Sequence, residues 1–90
     1  MKTILTIGKV IVKLNEMNQH FSNERTGNAE DYCMKTGMKL GTFKSYLKSD
    51  RELLARLDGQ IIYDRKEKTF RFSKPGTFRI ELVLTWKDHE

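Results

Sequence analysis

Four residues, Thr36-Gly37-Met38-Lys39, separate two stretches that each carry helical signals, and that short break limits the possible folds more than any other feature. Upstream, Asn28 is a good N-cap, and Glu30 and Asp31 place negative charge in a first helical turn, where the helix dipole favours it. Gly37 is the residue best able to end that helix at positive φ. Downstream, Leu40, Phe43, Leu47, Asp50, Leu54 and Leu57 recur at spacings of three and four, with Tyr46 and Leu53 flanking the stripe. Asp58-Gly59 closes this helix by the same C-terminal logic. Two helices on so short a link cross steeply, and the second is presented outward. Asp50 falls on the apolar stripe and reads as its wet edge, or as a partner for Arg51 or Arg56.

The flanking segments complete an α+β pattern. Ile4, Ile7, Val10, Ile11, Leu14, Met17 and Phe21 follow helical spacing. A strand there would put Lys9 and Ile11 on one face, so a first helix is predicted over about residues 4–21. Phe21 to Gly27 is a polar loop, and the helix pair spans about residues 28–58. Gln60 to Tyr63 and Thr69 to Phe72 read as strands around the charged turn Asp64-Arg65-Lys66-Glu67-Lys68, a β-hairpin with a basic tip over about residues 60–72. Finally, Phe78, Ile80, Leu82, Leu84 and Trp86 alternate with more polar positions, predicting a half-buried strand over about 78–86. Two placements of that strand are open. It pairs with the hairpin or covers the first helix, or it pairs with a second copy to make a homodimer anchored by Trp86.

Composition narrows the function classes. Ninety residues make one small domain, 1–90, without room for a separate sensing or catalytic unit. Leu, Ile, Val and Phe number 23, enough for a modest core. The apolar stretch Ile4 to Leu14 is interrupted by Lys9 and Lys13, so no membrane span is expected, and no secretory signal is apparent. Cys33 stands alone and reads as a small buried filler in a reduced, cytoplasmic protein. His20 and His89 have no metal-ligand spacing, the six glycines are scattered singly, and no catalytic spacing appears. Neither an enzyme nor a cofactor is expected. The net charge of +5 is uneven: residues 38–74 carry ten basic against five acidic side chains, while residues 1–37 are net +1 and residues 75–90 net −1. A clustered basic surface is the electrostatic footprint of a polyanion binder.

The order helix, helix–short turn–helix, basic hairpin is that of a winged helix-turn-helix domain. Particular segments also carry a family resemblance. Gly27-Asn28-Ala29-Glu30-Asp31-Tyr32-Cys33-Met34-Lys35-Thr36-Gly37-Met38 resembles the helix-two segment of DeoR-type regulators and of the N-terminal domains of WYL-domain regulators, typically Gly-Thr-Pro-Glu-Glu-Leu-Ala-x-x-Leu-Gly-Ile-Ser. Thr42-Phe43-Lys44-Ser45-Tyr46-Leu47 resembles their Thr-Leu-x-Arg-x-Leu recognition-helix core. Ile61 to Phe72 resembles their wing, often Ile-x-Tyr-Asp-x-x-x-x-x-Tyr-x-Tyr. The match covers residues 27–72 and leaves 76–90 outside.

The resemblance implies binding of double-stranded DNA, by a small transcriptional regulator or a DNA-architectural accessory factor. Phe43, Leu47 and Leu54 would face the core. Lys39, Leu40, Gly41, Lys44, Ser45 and Lys48 would lie toward the major groove, and Arg65, Lys66 and Lys68 would meet the adjacent minor groove or backbone. Lys39 departs from the usual Ser or Thr cap, and Leu40 and Gly41 replace polar base-readers, so non-specific contact is implied more strongly than base readout. The alternative for the same elements is a module that docks another protein and does not touch DNA.

Overall fold

The computed structural model describes residues 2–74 and 76–81. Three helices precede an antiparallel hairpin: α1 (Lys2–Asn23), α2 (Ala29–Thr36), α3 (Leu40–Ala55), β1 (Ile61–Asp64) and β2 (Thr69–Phe72). The hairpin register pairs Ile61 with Phe72, Tyr63 with Phe70 and Asp64 with Thr69. Asp64 therefore belongs to the ladder and not to the turn, one residue beyond the predicted strand end.

Capping explains the second helix. The Asn28 side chain accepts from the Asp31 N–H at 2.8 Å, and the Asp31 carboxylate accepts from the Asn28 N–H at 3.3 Å, a reciprocal capping box. Gly37 ends α2 at φ 76°, donating its N–H to the Cys33 carbonyl. Only Gly37, Met38 and Lys39 then separate α2 from α3. The third helix stops at Ala55, earlier than its apolar stripe suggests, and Leu57 lies beyond it, 64% exposed. Asp58, at φ 57°, takes the left-handed position there. Gly59 serves by its missing side chain, because a Cβ would lie 2.8 Å from Leu54 Cγ.

The core gathers Leu14, Met17 and Phe21 from α1, Tyr32 and Cys33 from α2, Phe43, Leu47 and Leu54 from α3, and Ile61 and Phe70 from the hairpin. Aromatic rings make its centre: Phe43 lies 5.2 Å from Tyr32 and 5.5 Å from Phe70, and Phe21 lies 5.8 Å from Phe70. Such pairs add about 0.5–1.5 kcal/mol each beyond the area they bury. Thr26 stitches the α1–α2 loop to the hairpin, its N–H donating to Thr69 Oγ1 and its hydroxyl oxygen accepting from the Phe70 N–H at 2.9 Å. The sequence reads residues 21–27 as a polar loop, yet α1 runs on to Asn23 and Thr26 is buried.

Two expectations are corrected. Residues 78–81 of the predicted C-terminal strand join no ladder, and the described sheet has two strands. The amide of Asn15 on α1 meets both main-chain groups of Ile80, accepting its N–H at 2.8 Å and donating to its carbonyl at 2.9 Å. A side chain thus satisfies the groups a neighbouring strand would have taken. Residues 82–86, with Trp86, lie outside the described residues, as does His89. Asp50 is the second correction. It is 0% exposed and pairs with neither Arg51 nor Arg56.

Candidate nucleic-acid interface

Helical geometry sorts the side chains of α3. Phe43, Leu47 and Leu54 turn inward at spacings of four and seven, and Lys39, Leu40, Gly41, Lys44, Ser45 and Lys48 are all exposed. The start of α3 is open: Lys39 takes the extended N-cap conformation but makes no side-chain capping bond. Its ammonium has only donors, whereas a cap must accept the free N–H groups of the first turn. The helix begins with a cation where its dipole favours an anion.

The hairpin tip presents Arg65, Lys66, Glu67 and Lys68 to solvent. The charge of the Asp64 carboxylate beside them is offset by its ion pair with Arg71. One oxygen accepts the N–H groups of Lys66 and Glu67 at 3.0 and 3.1 Å, and the other accepts from Arg71 Nε at 3.1 Å. These contacts, the Glu67 N–H foremost and Arg71 next, hold the carboxyl below the ordinary aspartate range. The same clasp folds the turn. Lys68 closes it at φ 54° and leads into β2.

Between α3 and the hairpin runs a cleft of about 600 Å³. Lys44, Lys48, Arg51 and Glu52 of α3 line it, together with apolar side chains that include Phe43 and Leu47 of α3, Ala29 of α2 and Phe70 of β2. Arg51 Nε also donates to the Ile61 carbonyl at 3.1 Å, tying α3 to β1. Of the nine residues assigned from the sequence, the structure brings Lys44 and Lys48 into this cleft. Lys39, the N-cap, and Leu40, Gly41 and Ser45 of α3 lie outside its lining, and Arg65, Lys66 and Lys68 occupy the hairpin turn. Arg51 is the member that sequence reasoning missed. Its spacing of seven from Lys44 and three from Lys48 was the available signal, since residues so spaced share a helix face.

Other chemistry has less to work with. Among the described residues no three His, Cys, Asp or Glu side chains gather where a metal ion could sit. Cys33 is buried as a free thiol. No helix among the described residues is long and apolar enough to cross a membrane. No family model, curated protein or solved structure matches the chain.

Proposed function

We propose that the chain is a winged helix-turn-helix domain that binds double-stranded DNA, with α3 in the major groove and the hairpin as a wing on the adjacent backbone. The observation that carries this reading is the cleft in which Lys44, Lys48 and Arg51 on α3 stand beside β2, the strand that follows the basic tip. A B-DNA major groove is about 12 Å wide and admits one helix, and the phosphates at its edge meet cations on either side of that helix. The exposed row Lys44, Ser45 and Lys48 supplies donors toward the groove, while Arg65, Lys66 and Lys68 reach past it. The Asp64–Arg71 ion pair supports the same reading, since Arg71 offsets that carboxylate and the tip keeps three cations against Glu67.

Fluorescence anisotropy of a labelled random duplex of about 25 base pairs, titrated at low and then physiological salt, tests the proposal. Binding that falls steeply with salt is expected, because affinity then comes from displaced counterions. No binding at low salt would overturn it and make a protein the partner to seek by pull-down. Selection from random duplexes then shows whether α3 reads bases: an enriched site marks base readout, and none marks contact through the backbone alone.

A further inference from the structure

Asp50 on α3 and Asn18 on α1 are both 0% exposed. Neither carboxyl oxygen of Asp50 has a hydrogen-bond partner, nor do Oδ1 and Nδ2 of Asn18, and the Ser22 hydroxyl one turn further along α1 is also without one. Buried polar atoms are nearly always paired, so four orphan atoms on two side chains close enough for the Asn18 amide to act on the Asp50 carboxyl require an account. We propose that Asp50 and Asn18 pair as a carboxylic acid with an amide, so that folding is favoured by uptake of a proton.

The donor inventory carries the argument. An ionised Asp50 offers acceptors alone, so it can take a hydrogen from Asn18 Nδ2 but leaves Asn18 Oδ1 facing another acceptor. A neutral carboxyl has one donor and one acceptor, as the amide does. Its O–H donates to Asn18 Oδ1 while its carbonyl accepts from Nδ2, and two parallel hydrogen bonds satisfy all four atoms.

No charged group among the described residues is turned to Asp50 to hold it ionised. On α3, Arg51 is directed to the Ile61 carbonyl, and Lys48, Glu52 and Arg56 are exposed. On α1, Lys13 and Glu16 pair with each other at 3.2 Å. In the hairpin Arg71 is held by Asp64, and beyond it Arg79 pairs with Glu81. Burial accordingly pushes the Asp50 carboxyl from 3.8 up to about 6, with the Asn18 amide the opposing influence.

The sign follows from proton linkage. A carboxyl whose value rises on folding adds stability that is fully present below its unfolded value and lost as pH climbs through the folded one. Between pH 7.5 and pH 5 this group alone should raise the folding constant about tenfold.

Urea unfolding of the full chain at pH 7.5 and pH 5, for the wild type and Asp50→Asn, tests this alongside carbon-13 NMR of the wild-type Asp50 carboxyl. Asparagine keeps the paired hydrogen bonds without a charge. The variant is expected to be more stable at pH 7.5 and to lose about tenfold of the gain on acidification, and the wild-type carboxyl to titrate near pH 6. A variant less stable at pH 7.5, or one with an unchanged pH response, would overturn the pairing. So would a carboxyl titrating near pH 4, a result that stands even if the variant fails to fold. These measurements contain no DNA, so their outcome is independent of the binding proposal.

Discussion

Lys39 and Lys68 each occupy a backbone position that local physics assigns to another residue. Lys39 caps α3 without a capping bond, where a hydroxyl would accept a free N–H. Lys68 sits at φ 54°, a left-handed conformation natural to glycine and costly for a residue with a Cβ. Both are exposed cations on the proposed DNA face, and sites that break local rules are often those that bind. Lys39→Ser and Lys68→Gly are therefore each expected to raise stability in chemical denaturation by roughly 0.5–1 kcal/mol. Each should also weaken duplex binding in anisotropy. A variant that gains stability and keeps its full affinity would remove that lysine from the interface. The two misfits differ in legibility. The wrong cap can be read at Lys39 from residue type alone, but no glycine marks position 68, so its conformation is visible only in the folded turn. Asp50 shows a deeper limit: spacing put it on the buried stripe of α3, its charge argued for the stripe's edge, and the deciding partner, Asn18, lies on another helix.

The hairpin acts as an arm whose root and turn are both fixed. At the root, Arg51 Nε bonds the Ile61 carbonyl; beside the turn, Thr26 bonds Thr69 and the Phe70 N–H, and Asp64 clasps two main-chain groups and Arg71. Arg65 and Lys66 thus project from a rigid support, and phosphate contacts by such an arm should be indifferent to sequence. Changing both to Gln is expected to weaken all duplexes alike and to lower the slope of log affinity against log salt by about one per lost contact. A changed sequence preference instead would mean that the arm reads bases. Periodicity and turn residues made the three helices and two strands legible in the sequence, because each carries its own apolar pattern, with caps marking the ends of α2 and charged turn residues marking the hairpin. The Thr26 stitch was not legible, since a lone threonine in a polar loop looks like any other. The strand expected over 78–86 failed at residues 78–81 for a related reason. Alternation can arise from lying against a helix, and Asn15 takes the main-chain groups of Ile80 that pairing would need.

At the scale of the whole molecule, the charge excess of residues 38–74 is divided between α3 and the hairpin, elements held together by Arg51 on the Ile61 carbonyl and by the core around Phe43 and Phe70. The sequence showed that excess and its two clusters, but only the packing shows that Lys44, Lys48 and Arg51 share a cleft with β2. Lys44 and Lys48 form no ion pair among the described residues and are exposed, so their reversal should leave the core intact. Arg51 is different, because its loss would also untie α3 from β1. Lys44→Glu with Lys48→Glu is thus the cleaner test of the joint surface: four units of charge change beside the cleft, with a melting temperature expected within a few degrees of wild type. Duplex binding should be lost at physiological salt, and low salt should not restore it, because weaker screening strengthens the new repulsion as much as the remaining attraction. Retained affinity in this folded variant would take α3 out of the interface and leave the hairpin tip to account for binding.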